Sequence, residues 1–546
     1  MREDERAFVC FEGRAYGTPA PADRLFALAA AVGGEPHAAA AALRDGIREW
    51  EGEFVALVYL KRVPRLLVLG DPMGRLPLYA VERPGGLTLS RDQRFLVEIE
   101  DGVEADRLGI AQLLLFGFPI GHRTLARGVD RLRAGSTLCA DREGVRLVAG
   151  SWEPEQLESK SEAASAQRLT AELVDRFVHA CRIRAAACDP PLVSLSGGLD
   201  SRAVAAGLAR AGCPFECYTF VDAAGVHGRE VAAAQAIALA LGAPWRQVDA
   251  PAPTGRSLQR VLEMKLGLNS LAMGYSVAVF ETLREVFGAG VSFWSGDGGD
   301  KMMPDHRPGL GRGDVVRYLV EHRPVWPTAM ITRLTGVTER QLRDSVAEVV
   351  GGYPERSGDL RFVRFGLAER GARWVYEGED SNRHYFWTVA PFFDRGFARA
   401  ALAVPDGQKS GHQLYCSFMR ALNPAMVAIP DANLGLRMDA AGYVWSRRLR
   451  EAGRRFPRLR RWLGQGVAGS VLQPAPALTG AVLRRLLERS QAVRSCFSPA
   501  ALASVAEAPQ RWGHGALDGL LTAVSAVERI AGEQPTLEGF AAERFG

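Results

Sequence analysis

The sequence predicts two dissimilar units in series and a tail: a β-rich α+β sandwich over residues 1–155, a doubly wound parallel-sheet α/β domain over 165–435, and a helical extension over 436–546. Three observations predict it. The apolar run Pro191-Leu192-Val193-Ser194-Leu195 breaks at Ser196-Gly197-Gly198-Leu199-Asp200-Ser201 and resumes as the helix-forming segment Arg202–Ala209. The same grammar returns at Val291-Ser292-Phe293-Trp294, which ends in the small, acidic, glycine-rich turn Ser295-Gly296-Asp297-Gly298-Gly299-Asp300. Ahead of both, from about residue 50 to 152, short β-prone runs alternate with turns.

Taken in order, Phe8-Val9-Cys10-Phe11 reads as a buried strand, and Glu53–Tyr59 and Arg65–Leu69 read as two more. Gly70-Asp71-Pro72-Met73-Gly74-Arg75 is a turn leading into Leu76-Pro77-Leu78-Tyr79. In the second unit, Pro191–Leu195 is a buried strand and Tyr218-Thr219-Phe220-Val221 the next one. Glu230–Gly242 is a helix, because Val231, Ala234, Ile237, Ala238 and Leu241 recur at helical spacing. In a doubly wound sheet the carboxyl ends of neighbouring strands face one crevice, so the two glycine-rich turns are expected to meet there.

Composition narrows the class. Hydrophobic residues make up 47% and charged residues 24%, ordinary for a globular chain of this length. Lys+Arg 67 against Asp+Glu 62 leaves +5, too small a bias to call for nucleic acid or a membrane surface. None of the eight cysteines forms a C-x-x-C pair, and Cys213 and Cys217 have no histidine-rich partner, so zinc is not expected and reduced thiols are. Met1–Arg6 lacks the apolar core of a secretion signal and no apolar stretch reaches a membrane span, which points to a cytoplasmic protein.

The chemistry lies in the turns. A buried strand that ends in a glycine-rich turn and feeds a helix aims backbone N–H groups at one spot, where the helix dipole favours negative charge. Gly197 and Gly198 allow close approach, the Ser196 and Ser201 hydroxyls can donate to phosphate oxygens, and Asp200 can hold magnesium. Glycine placed there for steric reasons alone is the competing reading. The second turn at Ser295–Asp300 argues against it.

Together these motifs resemble the synthetase domain of asparagine synthetase and its relatives, the PP-loop ATP pyrophosphatases. The resemblance spans residues 165–435 and takes in Glu230, Asp380-Ser381-Asn382-Arg383 and Val389–Asp394. It implies that ATP is cut between its α and β phosphates while a carboxylate becomes an acyl adenylate, which an amine then attacks. It implies an ATP and pyrophosphate site at Leu195, Ser196, Gly197, Gly198, Leu199, Asp200, Ser201, Val221, Ser295 and Gly296, and magnesium on Asp200 and Asp300. Asp297 and Glu230 would line the nucleotide and acyl pocket. ATP and Mg2+ are the implied cofactors, and the partners a carboxylate (small acid, sugar acid or peptide) and an amine, with neither nucleic acid nor membrane.

Glu51-Gly52-Glu53-Phe54, Asp71–Tyr79, Gly135 and Trp152 are similar to the second half of the Ntn-type glutaminase domain that precedes the synthetase domain in that family. That glutaminase uses a cysteine exposed as the mature first residue, whose α-amine is its base. Here Arg2 follows Met1, Cys10 lies inside an apolar run, and fifty residues precede Glu51. The expected outcome is a degenerate, structural domain, no use of glutamine, and an interdomain interface filled by apolar side chains. Relatives without the cysteine include lasso peptide cyclases and β-lactam synthetases, whose intramolecular ring closure is the alternative within the same chemistry. The family's late lysine has only Arg437 and Lys409 as candidates. A PP-loop enzyme acting on tRNA would carry a strongly basic domain or a catalytic cysteine pair. A non-catalytic scaffold is the third reading, kept by Lys301 where the family commonly has an acid. The arginine-rich stretch 447–461 reads as a solvated helix or a basic binding face.

Overall fold

The computed structural model describes the chain except residues 32–35, 149–156, 158–164, 223–227, 305–308, 456–475 and 545–546. Trp152 and the arginine-rich run beyond Arg455 lie outside the described residues.

The first unit is an antiparallel sandwich. Strands β1 (Arg2–Glu3), β2 (Ala7–Tyr16), β3 (Glu51–Leu60), β4 (Arg65–Gly70), β8 (Thr137–Asp141) and β9 (Gly144–Val148) form one sheet in the order β1-β2-β3-β4-β8-β9. A smaller sheet holds β5 (Tyr79–Arg83), β6 (Gly86–Ser90) and β7 (Asp130–Arg131) in the order β6-β5-β7. The alternation along β3 explains the layering, because successive side chains point to opposite faces. Phe54, Ala56 and Val58 face Leu25 of helix α1 (Pro21–Ala31) and Leu43 and Ile47 of α2 (Pro36–Ile47). Val55 faces the other way, onto Leu76, Leu78 and the small sheet.

The second unit is built on a five-stranded, wholly parallel sheet: β10 (Pro191–Ser194), β11 (Glu216–Asp222), β12 (Trp245–Ala250), β13 (Ser292–Trp294) and β14 (Thr388–Val389), in the order β12-β11-β10-β13-β14. The central strands bury both faces: Leu192 and Phe293 go to one apolar cluster, Val193 and Trp294 to the other. That is why they read as continuous apolar runs. The chain runs outward from β10 through β11 to β12, then returns to the other side of β10 for β13. The switch point therefore lies between β10 and β13.

The third apolar cluster belongs to no single stretch of sequence. Ile110 and Leu114 of α4 (Arg107–Phe116), which follows α3 (Gln93–Ile99), pack with Val261 of a later helix (Gly255–Lys265) and with Leu517, Leu521 and Val524 of the helix His514–Ile530. Residues before 155 and after 436 thus share one core. No helix among the described residues is long and apolar enough to cross a membrane.

The interface between the units is apolar only in part: beside the shared core, where Ile110 and Leu114 meet Val261 and Ile331, lies a buried ionic network that was not expected. Arg75, on the turn after β4, bonds Glu53 of β3 and Glu379 of the second unit, the latter at 2.8 Å. Arg131 reaches Glu377 at 2.8 Å, the Tyr79 hydroxyl donates to Glu377 at 2.6 Å, and Lys265 sits 3.0 Å from Glu377 and in contact with Asp380. Further along, Arg184 joins Glu51 to Asp394. Arg75, Glu53, Glu377, Glu379, Lys265 and Arg184 are all buried. The cations that neutralise Glu377 and Glu379 come from Arg75, Arg131 and Lys265, remote in the chain.

Candidate functional site

The site is assembled at the switch point. Helix α6 (Leu199–Arg210), preceded by α5 (Ala166–Ala187), starts straight off β10 with Gly198 as its N-cap and no capping side chain, so its first-turn N–H groups remain available. Ser196 and Ser201 hold the turn: their hydroxyls lie 2.9 Å apart, the Ser196 N–H donates to Ser201 Oγ at 2.9 Å and the Gly198 N–H to Ser196 Oγ at 3.2 Å.

The second turn closes directly onto the first. A Cβ on Gly299 would strike the Asp200 carboxylate, and one on Gly296 the backbone of Asp200 and Ser201. Gly298, at φ 93°, lies under the Phe393 ring. Glycine at 296 and 299 lets the turns meet, and glycine at 298 suits the left-handed backbone beneath the Phe393 ring. Asp200, Asp297 and Asp300 therefore share one crevice. Burial and the negative Asp300 push the Asp200 carboxyl up to about 7, against the hydrogen bond from the Tyr415 hydroxyl at 2.6 Å that favours its ion. Asp297 accepts from Ser295 Oγ at 2.8 Å, and Asp300, 62% exposed, pairs with Lys301.

A third segment latches the cradle. Buried Arg202 on α6 donates to the carbonyls of Met426 (2.8 Å), Ile429 (2.7 Å), Pro430 (3.0 Å) and Gly197 (3.1 Å). The Ala432 N–H donates to the Gly197 carbonyl at 3.1 Å. Asp431 is in turn held by Tyr443 and by Arg447, each at 3.0 Å, so the first arginine of the basic stretch anchors this loop.

A cavity of about 890 Å³ opens from the crevice. Leu195, Ser196, Glu230 in the first turn of α7 (Gly228–Leu241), Asp300 and Lys301 line its cradle end. Phe220 lines it, whereas its neighbour Val221 does not. Neither candidate for the late lysine reaches it. Lys409 is buried against the Leu402 carbonyl at 2.8 Å, and Arg437 pairs with Asp439 at 2.7 Å. The cation at the cradle end of the cavity is Lys301, which the sequence marks only as a departure from the family pattern. Tyr415 and Arg202 were also missed, since neither carries a motif. Cys10 is partly exposed within β2 and paired with Leu57, not buried as expected, because it falls on the strand face opposite Val9.

The donor set fits magnesium bound jointly with phosphates. No cluster of three or more His, Cys, Asp or Glu side chains that could hold a metal alone occurs among the described residues. Asp200 and Asp300, neighbours in one crevice, are two carboxylates that could share a magnesium ion with phosphate oxygens, the sparse protein share usual for magnesium in nucleotide sites.

No protein-family model and no curated protein matches this chain. Solved structures that resemble it include the glutamine phosphoribosylpyrophosphate amidotransferase of B. subtilis complexed with ADP and GMP, at 11% identity and TM-score 0.20, covering 54% of this chain and 62% of that one. A second, described as the allosteric regulatory enzyme of purine biosynthesis, has 13% identity and TM-score 0.19, covering 47% and 57%. The chain thus spans less than two thirds of either, and these scores carry no argument about function. What the fold defines is an antiparallel sandwich joined to a doubly wound parallel-sheet unit with a helical layer.

Proposed function

We propose that the protein is an ATP-dependent, AMP-forming carbon–nitrogen ligase. The observation that carries this reading is the closure of two glycine-rich turns on each other at the switch point, with Asp200 and Asp300 in one crevice. The N–H groups at the start of α6 and the cation of Lys301 face the place where a pyrophosphate leaving group gathers charge. Asp200 and Asp300 would hold magnesium, which neutralises phosphate charge. A substrate carboxylate oxygen attacks the α-phosphorus, the bond to pyrophosphate breaks, and an amine displaces AMP from the acyl carbon while losing a proton. Positioning of the reactants supplies much of the acceleration in such a site.

Glutamine is not the nitrogen source in this proposal. Cys10 sits inside β2, paired with Leu57, so no free α-amine adjoins its thiol. Incubation with ATP, magnesium and a panel of carboxylic acids and amines is expected to release AMP and pyrophosphate, with no glutamate formed when glutamine is added. ADP as the sole nucleotide product, or glutamate released in step with ATP use, contradicts it.

A further inference from the structure

The end of the cavity away from the cradle is walled by rings, Phe116 and Phe118 from the first unit and Phe362, Phe365 and Trp374 from the second. One buried acid interrupts this apolar wall. Asp518, on His514–Ile530, lines the cavity and is only 4% exposed. Its Oδ1 is buried and accepts no hydrogen bond, and no cation pairs with it among the described residues. Burial alone pushes its carboxyl up to about 7. An unpaired buried carboxylate is a cost the fold carries without return.

The surroundings of Asp518 leave room for an occupant. Gly515 and Gly519 flank it on the helix and both line the cavity; a Cβ at either would meet nothing within 4 Å. Glycine inside a helix costs about 1 kcal/mol relative to alanine, and no neighbouring atom requires it here. Thr522, one turn on, is already committed: its hydroxyl donates to the Asp518 carbonyl at 2.7 Å and accepts from the Leu271 N–H at 3.0 Å. The open space is therefore directed at the carboxylate.

We infer that this chamber binds a substrate with an apolar, aliphatic or aromatic body and a primary ammonium group, the ammonium being received by Asp518. An ammonium ion supplies the charge and donors the carboxylate lacks, and the rings take the body. The inference names the substrate class for the ligase reading and rests on that reading only for what the substrate is used for. Arg323 and Arg370, exposed and held over Phe362 and Trp374, stand at the same cavity and repel a second cation there, which leaves Asp518 as the cation's seat.

The probe is n-octylamine, with n-octanol as its uncharged counterpart, each titrated calorimetrically against the full chain at pH 8. Octylamine is expected to bind at least tenfold more tightly than octanol, Asp518→Asn to remove that preference, and Gly519→Leu to weaken both by filling the space. Asp518→Asn should fold, because an amide of the same shape replaces an unpaired carboxylate, and its thermal midpoint checks this. Equal binding of the two probes by the natural chain, or an unchanged preference in a folded Asp518→Asn, overturns the inference. Asp200→Asn keeps the preference while losing any ATP turnover. Failure of turnover with intact octylamine selectivity therefore counts against the ligase reading alone.

Discussion

Asp200→Ala is expected to lower pyrophosphate release from ATP by about 10³-fold, equivalent to about 4 kcal/mol of transition-state stabilisation. The residue stands where the two turns touch, with Gly299 packed on its carboxylate and Asp300 in the same crevice. On the proposed reading, its loss takes away half of the protein's share of the magnesium site and leaves the pyrophosphate charge less screened. Alanine also strands the Tyr415 hydroxyl, so Asp200→Asn is the sharper variant: it still accepts from Tyr415 and lacks only the charge. Steady-state rates for both variants at saturating ATP make the test. Near-natural turnover in Asp200→Asn with unchanged magnesium dependence removes Asp200 from the site.

The second large effect concerns the joint between the units. Arg75→Met is expected to cost about 3–5 kcal/mol of stability, because it leaves Glu53 and Glu379 buried with their main counter-charge gone. Burial by itself raises Glu53, yet Arg75, Arg184 and Arg383 outweigh it and hold the carboxyl below its ordinary value. A depressed carboxyl contributes stability above its unfolded pKa and loses it as pH falls through the folded one. In Arg75→Met that contribution shrinks and Glu53 takes up a proton more readily. The deficit should be largest near neutral pH and narrow as the solution is acidified. Urea unfolding at pH 7 and pH 5 reads both. Adding Glu379→Gln and Glu53→Gln to Arg75→Met should recover much of the loss; equal loss in the single and triple variants contradicts a buried-charge origin.

These two predictions sit at opposite ends of what the sequence discloses. The cradle is local: strand, glycine turn and helix occupy residues 191–210 without interruption, and burial of β10 and β13 on both faces forces the apolar runs that mark them. Hence Ser196–Ser201 and Ser295–Asp300 were legible and are brought together. The apolar part of the interface was expected; its ionic part was not, because the pairing there is nonlocal. The partners of Glu377 and Glu379 are Arg75, Arg131 and Lys265, which come from elsewhere in the chain and share no local pattern with them. The same holds for Arg202, whose four carbonyl partners include three from Met426–Pro430. Asp518 did leave a trace. A single acid between two glycines in Gly515-Ala516-Leu517-Asp518-Gly519-Leu520-Leu521 is an anomaly in a helix otherwise buried almost all round, although periodicity alone assigns it no role.

The central claim is that the two turns form one site for the phosphates of ATP. Its most direct test is a crystal structure of the protein with magnesium and α,β-methylene-ATP, an analogue that cannot be cut between its α and β phosphates. The account predicts the β and γ phosphates at the N–H groups of Ser196–Ser201 and the start of α6, with a metal ion between them and the carboxylates of Asp200 and Asp300. Phosphates bound away from both turns, or density for the nucleotide with Asp200 and Asp300 both remote from it, would contradict the account.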